Sequence, residues 1–230
     1  MLDRLKVKAI TLDLDDTLWP IWPTIARAEA ALQDWLRHRA PRTADLLADD
    51  LQRHRLREEV ILGQPDLKHH LSAIRTEMIR RALAVSREDQ GLADPAYAVF
   101  FEARQQVQLF DDAAPALGFL AQRYPIVALS NGNADVDRIG LGRYFRAAIS
   151  AESFGVGKPD PAIFEAGAAA AGVAAHEVLH IGDDASLDVL GALACGMQTV
   201  WVNREDHLWP HPQQPHETVS NLHELTELLR

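Results

Sequence analysis

The chain of 230 residues has a single cysteine, Cys195, and it lacks any segment built like a signal peptide or a membrane span. One cysteine excludes an intrachain disulfide and is compatible with a reducing cytoplasm. The N-terminus has no apolar stretch followed by a cleavage site, so we expect no signal peptide. No apolar run approaches the length that crosses a bilayer. These absences predict a cytoplasmic protein without a membrane partner.

The chain also lacks a long run of basic residues. It carries 33 acidic and 23 basic side chains, which gives a formal net charge of −10. Nucleic-acid phosphates require clustered Lys and Arg, so we expect no nucleic-acid partner. The Arg-rich stretch 53–57 is interleaved with acidic and apolar residues, and we interpret it as the solvated face of a helix.

The chain does contain a change of pattern along its length. Residues 19–108 are rich in Ala, Leu, Arg, Glu and His at helical spacing and carry almost no strand signal. The remainder alternates between apolar strands and helices, which indicates a parallel sheet with right-handed crossovers. We therefore predict an α/β fold: a doubly wound, Rossmann-like parallel sheet from residues 1–18 and 109–230, with an all-helical domain inserted at 19–108. An insertion directly after the first strand would be able to act as a lid.

The elements of the alternating part have predictable bounds. We expect strands at 7–12, 126–130, 147–150, 178–181, 198–202 and 218–220, and helices at 114–123, 135–141, 161–171 and 186–195. Asp160 followed by Pro161 is typical of a helix start, with Asp as the N-cap and Pro at the first helical position. The helix at 161–171 therefore has the most clearly marked beginning.

Three aspartates, Asp13, Asp15 and Asp16, stand at the end of the first predicted strand. The carboxyl ends of parallel strands face the ligand crevice of an open sheet. Two carboxylates two residues apart at such an end are able to share one metal ion and to do different chemical work. A solvated acidic surface is the alternative, but uncompensated charge at the edge of a core is costly. The cluster indicates metal-dependent phosphoryl transfer.

Polar residues occupy comparable places later in the chain. They bring a hydroxyl, a turn, a cation and further carboxylates: Ser130, Asn131 and Gly132, then Lys158, then Asp183, Asp184 and Asp188. Most of them follow predicted strands, so we expect them to gather at the same edge of the sheet as the first cluster.

In this order the residues resemble the four motifs of the haloacid dehalogenase superfamily, and the inserted helices resemble its C1-type cap. The segments 129–135, 139–145, 180–184 and 196–198 are similar to those of bacterial phosphatases that act on flavin mononucleotide (FMN) and its ribitylaminouracil-phosphate precursor. The resemblance covers essentially the whole chain. It implies a Mg²⁺-dependent phosphatase that hydrolyses a small phosphate ester through an aspartyl-phosphate.

The resemblance also implies roles for the catalytic residues. Asp13 is the expected nucleophile, and Asp15 is expected to protonate the leaving alcohol and then to activate water. Ser130 and Lys158 are expected to bind the phosphoryl group. These four residues are the predicted catalytic set.

The remaining site residues are expected to bind the metal or the substrate. For Mg²⁺ the expected ligands are Asp13, Asp183 and the main-chain carbonyl of Asp15, supported by Asp184 and Asp188. For Asp184, an interaction with a helix N-terminus is an open alternative. The expected substrate contacts are Thr17, Asn131, Gly132, Trp19 and Trp22. The two tryptophans would stack on a flat ring, and packing at the entrance to the inserted domain is the alternative.

Other functions remain open within this fold. A dehalogenase needs no acid at Asp15, because halide leaves without a proton. A sugar phosphomutase of this type usually carries Gly where this chain has Thr17, which favours hydrolysis. A non-catalytic α/β binding protein is a further alternative, although every catalytic position is filled. The sequence leaves a monomer and a homodimer equally possible.

Overall fold

The computed structural model describes all 230 residues, and the chain divides into two compact units. The sheet unit comprises Met1–Pro20 and Gln108–Arg230, and the helical unit comprises Ile21–Val107. None of the helices is both long enough and apolar enough to cross a membrane.

The boundary of the helical unit differs slightly from the predicted range of 19–108. Trp19, Pro20 and Gln108 belong to the sheet unit. The outgoing and returning chain segments are hydrogen-bonded there, because the N–H of Phe110 donates to the carbonyl of Leu18 at 3.0 Å. The insertion therefore begins only after this contact.

The helical unit contains five α-helices around a main apolar core and a smaller cluster of Val60, Ile74 and Met78 between the third and fourth helices. They are α1 (Ile21–Arg39), α2 (Pro41–Ala48), α3 (Asp50–Gly63), α4 (Leu71–Val85) and α5 (Ala93–Arg104). Apolar side chains at helical spacing, such as Leu32 and Leu36 of α1, are buried against Leu83 of α4 and Phe100 of α5. Burial of one apolar stripe from each helix holds this unit together.

The sheet unit is built on six parallel strands. They are β1 (Ala9–Leu12), β2 (Ile126–Ser130), β3 (Ala147–Ser150), β4 (Val178–Gly182), β5 (Gln198–Val202) and β6 (Glu217–Val219). Their order in the sheet is β3-β2-β1-β4-β5-β6, and every neighbouring pair is parallel. This is the doubly wound order, in which the direction of winding reverses beside β1. The predicted α/β fold with a Rossmann-like parallel sheet is confirmed.

Short helices connect and cover the strands of this sheet. They are α6 (Ala113–Ala121), α7 (Ala151–Phe154), α8 (Pro161–Ala171), α9 (Gly191–Ala194) and α10 (Leu222–Leu228). Ile163 and Phe164 of α8 pack with Val127 and Leu129 of β2 in one buried cluster. As predicted, Asp160 caps α8, where its carboxylate accepts the N–H of Ala162. Strands that are apolar on both faces need such cover on both sides.

Two predicted helices differ from the structure. Residues 135–141 form only a turn, in which the N–H of Ile139 donates to the carbonyl of Asp135 and Gly140 then adopts a φ of +85°. The left-handed conformation of Gly140 ends the turn before a second one forms. The predicted helix at 186–195 is divided into a π-helical segment, Ala185–Leu190, and α9.

Candidate active site

Asp13 lies directly after β1, at the strand beside which the winding of the sheet reverses. Its N–H donates to the carbonyl of Ile181 in β4 at 2.9 Å, so its backbone continues the sheet by one residue. The side chain is nine-tenths buried and accepts a hydrogen bond from the ammonium group of Lys158. The fold thus places the predicted nucleophile in a buried position beside a cation.

Lys158 reaches this position through a clamp formed by Asn131. The side-chain amide of Asn131 donates to the carbonyl of Lys158 at 2.8 Å and accepts its N–H at 2.7 Å. A Cβ on Gly157 would stand 2.5 Å from the Oδ1 of Asn131, so the close approach requires glycine there. The side chain of Asn131 therefore positions Lys158, and its predicted contact with substrate stays a prediction.

A second carboxylate, Asp188, completes the surroundings of Lys158. Its Oδ1 accepts the ammonium group of Lys158 at 2.6 Å and lies 3.1 Å from the Nε2 of His180. Its Oδ2 accepts the N–H of Asp184 at 3.0 Å. A Cβ on Gly182 would lie 2.3 Å from the carboxyl carbon of Asp188, so this packing also requires glycine. Protein donors bond to both oxygens of Asp188. This favours a role in holding Lys158 over a role as a metal ligand.

His180 lies fully buried in β4 and joins Asp188 to β1. Its Nδ1 is 2.9 Å from the hydroxyl of Thr11. Burial lowers the pKa of His180, which favours a neutral ring. Because the ionised Asp188 only accepts, the hydrogen belongs on Nε2 and Thr11 donates to Nδ1. The ring therefore holds Asp188 in place.

The electrostatics of this cluster depend on burial and on one cation. Burial raises the pKa of Asp13 well above its usual range, although the charge of Lys158 opposes the shift. Burial alone would raise the pKa of Asp188, but Lys158 and His180 outweigh it and hold the pKa below its usual value. Burial alone would lower the pKa of Lys158, and Asp13 and Asp188 together raise it instead. Lys158 and Asp188 thus form the charged pair.

Asp183 brings a third carboxylate to the cluster. Single carboxylate oxygens of Asp13, Asp183 and Asp188 all lie within 4.8 Å of one another. Burial, followed by the charges of Asp188 and Asp16, raises the pKa of Asp183 to about 7. One cation is present for three carboxylates, so the donor set is deficient in positive charge and fits a divalent ion that prefers oxygen ligands.

Two side chains hold Asp183 in place. The hydroxyl of Thr17 donates to its Oδ1 at 3.2 Å, and the indole of Trp201 donates to its carbonyl at 2.7 Å. Thr17 is fully buried and contacts a carboxylate that we predict to bind the metal, and its own predicted contact with substrate stays a prediction. Asp184 is the N-cap of the π-helical segment and accepts the N–H groups of Ser186 and Leu187.

Asp15 lies outside the buried cluster and is half-buried. Its Oδ1 accepts the indole N–H of Trp19 at 2.8 Å. The ring of Trp19 is fully buried, so the predicted stacking of Trp19 on a substrate is wrong, because no ring face is open to a ligand. Asp13 and Asp15 thus stand in two different environments at the end of one strand.

Ser130 ends β2 and is buried. Its hydroxyl oxygen accepts the N–H of Gly132 at 2.9 Å, which leaves the hydroxyl hydrogen to be donated elsewhere. The N–H of Gly132 therefore orients the hydroxyl of Ser130. The predicted contact of Gly132 with substrate stays a prediction. Trp22 belongs to the helical unit, and its side chain is 77% exposed.

Arg204, in the loop after β5, was not among the predicted residues. Its guanidinium makes two hydrogen bonds of 3.0 Å with Asp112, donates to the carbonyl of Thr17 at 2.9 Å and lies 3.9 Å above the ring of Phe110. The Asp112 carboxylate also accepts the N–H of Leu222. Arg204 thus ties the turn after β1 to the segment by which the chain returns to the sheet unit.

Sequence reasoning also missed His180 and Trp201. Both lie in strands that read as buried, where a polar side chain requires a partner. His180 in the middle of an apolar strand was therefore a usable signal, whereas the contact of Trp201 depends on a neighbouring strand.

The sequence is similar to known proteins along almost its whole length. Residues 7–196 match the haloacid dehalogenase-like hydrolase family. The chain is 32% identical to the 5-amino-6-(5-phospho-D-ribitylamino)uracil phosphatase YigB of Escherichia coli (strain K12), with 97% of each chain covered. It is 26% identical to the glyceraldehyde 3-phosphate phosphatase of Methanopyrus kandleri, again over 97% of each chain.

A solved structure gives a similar result. The 2-haloacid dehalogenase of Pseudomonas syringae pv. Tomato DC3000 superposes with a TM-score of 0.92 at 39% identity, covering 97% of this chain and 98% of that one. Full-length similarity in both sequence and structure confirms the resemblance inferred from the motifs.

Proposed function

Because the chain belongs to the haloacid dehalogenase-like hydrolases and is a phosphatase of that family, we propose that it uses Asp13 and Mg²⁺ to hydrolyse small phosphate monoesters. One observation carries this proposal: the end of β1 presents a buried carboxylate beside Lys158 and a second carboxylate, Asp15, in a different setting. Two carboxyls in different environments suit a nucleophile and a proton donor.

The first step forms an aspartyl-phosphate. An oxygen of Asp13 attacks phosphorus, the bond from phosphorus to the ester oxygen breaks, and Asp15 gives its proton to the departing oxygen. Lys158 and the hydroxyl of Ser130 stabilise the charge on the phosphoryl oxygens. Asp188 and His180 act only through Lys158, because they keep its ammonium group in place.

The second step releases phosphate. A water oxygen attacks phosphorus, the proton of that water passes to Asp15, and the bond from phosphorus to Asp13 breaks. Asp15 regains the proton that it gave away, so the residue is ready for another turnover. Phosphate monoesters hydrolyse extremely slowly in water, and all of these groups are needed to lower the barrier.

Asp13 and Asp183 would hold Mg²⁺, with the main-chain carbonyl of Asp15 as a further ligand. The raised pKa values of Asp13 and Asp183 support this assignment, because both carboxyls lie close to Asp188 with a single cation among them. When bound, the ion supplies positive charge to the carboxylates and to the phosphate oxygens. Lys158 fixes a carboxylate oxygen of Asp13, and Thr17 fixes a carboxylate oxygen of Asp183.

The proposed substrate is FMN or the ribitylaminouracil phosphate that precedes it. The similarity to the E. coli phosphatase named for such a phosphate supports this class. Trp22 of the helical unit keeps its predicted role in stacking, because its ring is largely exposed. Replacement of Trp22 by Ala should raise KM for FMN more than for a phosphate ester without a ring. An unchanged KM for FMN would contradict the stacking role.

A dehalogenase is the second candidate, favoured by the similarity to the P. syringae structure. Halide leaves without a proton, so a dehalogenase has no use for the proton of Asp15. Release of halide from 2-chloropropionate, measured beside release of phosphate, separates the two functions.

The deciding experiment measures phosphate release from a panel of small phosphomonoesters that includes FMN. The wild type should be active with Mg²⁺ and inactive with chelator, and Asp13→Asn should lower kcat by at least roughly 1,000-fold. The ranking of kcat/KM identifies the substrate class. No phosphate from any ester by folded, Mg²⁺-loaded protein would overturn the proposal and favour a mutase or a binding protein.

A further inference from the structure

Asp15 is used in both steps of the proposed reaction, and an indole holds its carboxyl group. The Nε1–H of Trp19 donates to the Oδ1 of Asp15 at 2.8 Å, and Trp19 is fully buried. An indole N–H only donates, and it neither takes up nor supplies a proton near neutral pH. The contact therefore cannot relay protons, but it holds one oxygen of the carboxyl in a fixed position.

The turn after β1 fixes the two side chains relative to each other. The N–H of Asp16 donates to the carbonyl of Trp19, and the N–H of Leu18 donates to that of Leu14, both at 2.8 Å. Asp15 and Trp19 also pair as an isolated β-bridge. Asp16 adopts a φ of +60°, a left-handed conformation that Asp tolerates better than most residues. The position of the indole is thus set within a few residues of the carboxyl that it contacts.

A donor on one oxygen has a chemical consequence for the other. In the protonated carboxyl, one oxygen carries the hydrogen and the other can still accept a hydrogen bond. In the carboxylate, both oxygens accept. A permanent donor at Oδ1 favours the transferred proton on Oδ2, because the carbonyl oxygen of a protonated carboxyl is a better acceptor than its hydroxyl oxygen. The bond from Trp19 therefore persists when Asp15 loses its proton and when it regains it.

We propose that Trp19 is a positioning residue, whose indole N–H fixes Oδ1 of Asp15 so that Oδ2 delivers the proton to the leaving oxygen and later receives the proton of water. This inference rests on the proposed hydrolysis. Without the indole N–H, Oδ1 of Asp15 loses this restraint, and Oδ2 leaves the productive direction in part of the molecules.

The test removes the N–H while keeping an aromatic ring. Trp19→Phe is the first variant, and site-specific replacement of Trp19 by 3-benzothienylalanine is the second, because sulfur replaces the N–H and the bicyclic shape stays. Both are assayed on β-glycerophosphate, whose alkoxide needs a proton, and on p-nitrophenyl phosphate, whose phenolate leaves without one. The ratio kcat/KM includes only the steps up to loss of the leaving group, so it isolates proton donation.

The expected result is a loss that depends on the leaving group. For β-glycerophosphate, kcat/KM should fall roughly 10- to 100-fold through a lower kcat, with KM unchanged. For p-nitrophenyl phosphate it should fall less than about threefold. Equal losses on both esters, or no loss on either, would overturn the inference. A merely structural role of Trp19 would lower both activities together.

A double-mutant cycle adds an independent readout. If Trp19 acts through Asp15, Trp19→Phe should cause no further loss with β-glycerophosphate once Asp15→Asn is present. A further tenfold loss in that background would contradict the inference. Trp35→Phe is the matched control, because Trp35 belongs to the helical unit and packs against its apolar core. It should leave both activities unchanged.

The outcomes also separate this inference from the proposed function. Phosphate release that Asp13→Asn abolishes but that the Trp19 variants do not change would overturn the role of Trp19 alone. Absence of phosphate release by folded, Mg²⁺-loaded wild type from these two esters and from every ester of the panel that includes FMN would overturn both proposals.

Discussion

The sheet unit buries charged side chains at the end of β1, whereas the helical unit forms its ion pairs mainly along the surfaces of single helices. Asp13, Lys158 and Asp188 are each at least nine-tenths buried. In contrast, the Arg55–Glu59 pair joins residues four apart on α3, with 73% and 48% of the side chains exposed. Burying charge costs several kcal/mol per ion unless it is paired, so the sheet unit tolerates an arrangement that stability alone would not favour.

The difference indicates where chemistry is located. Under the proposed mechanism, the buried charges at the edge of the sheet serve proton transfer and phosphoryl binding, which need fixed charges away from water. Exposed pairs contribute little to stability and nothing to such chemistry. The two units should therefore respond in different ways when one member of an ion pair is removed.

The largest effect is expected for Lys158→Met. The substitution leaves Asp13 and Asp188 buried without a cation, which should cost about 3 to 5 kcal/mol of unfolding free energy at pH 8. Phosphatase activity should be lost as well. Urea unfolding of the metal-free protein measures the stability change, and a loss below about 1 kcal/mol would contradict the importance of the buried pair.

A second effect is expected from the pH dependence of Asp183. Its pKa is 3.8 when the chain is unfolded and about 7 when folded without metal, so the unfolded chain ionises first as pH rises. The free energy of unfolding should fall as pH rises from the unfolded pKa to the folded pKa, and the full loss of stability persists at any pH above the folded pKa. Asp183→Asn should therefore stabilise the metal-free protein at pH 8 by on the order of 2 to 4 kcal/mol and have little effect at pH 4.

Thermal unfolding with chelator from pH 4 to pH 8 measures this difference between wild type and variant. Addition of Mg²⁺ at pH 8 should raise the Tm of the wild type and leave that of Asp183→Asn nearly unchanged. A difference that stays constant with pH would show that the charge of Asp183 is not the cause.

A smaller effect is expected in the helical unit for Glu88→Gln. The carboxylate of Glu88 accepts the N–H and hydroxyl of Thr43 at 2.8 and 2.6 Å, at the first turn of α2. Loss of such a cap costs about 1 kcal/mol. Burial alone would raise the pKa of Glu88, but the bonds from Thr43 outweigh it and lower the pKa. The contribution is therefore present at neutral pH and lost in acid, so wild type and variant should converge as pH falls, as measured by urea unfolding.

The smallest effect is expected for Arg55→Gln. The pair with Glu59 is exposed, so its loss should change stability by less than about 0.5 kcal/mol. Phosphatase activity should not change. A loss as large as that of Lys158→Met would remove the contrast between the two units.

The strands of the sheet unit were largely predictable from the sequence, because each is marked by a short run of neighbouring residues. All six strands of the sheet were predicted, and three of them (126–130, 147–150 and 198–202) have the predicted bounds. The acidic cluster after β1 identified the edge at which the candidate site lies. The turn at 135–141 was missed, because one glycine with positive φ ends what the composition favours as a helix.

Contacts within the site were less predictable. Motif spacing gives residue types but not which atom bonds to which, so the clamp of Asn131 on Lys158 and the bond of Trp19 to Asp15 were unforeseen. Trp19 and Trp22 were both expected to stack on a substrate because both lie where the chain enters the inserted domain. In the structure Trp19 is buried and Trp22 is exposed, a difference that depends on tertiary packing. The helical unit offered no motif, and Trp22 was its only side chain for which the sequence predicted a role in the site.

Arg204 has a consequence for how such a protein acquires a new specificity. Together with the bond from Phe110 to Leu18, it fixes the two chain ends that border the insertion, and all of these residues belong to the sheet unit. Any inserted segment whose ends match that spacing is compatible with the same sheet. Exchange of one whole segment, from a short loop to a helical bundle, can therefore redirect the enzyme while its reacting carboxylates stay as they are.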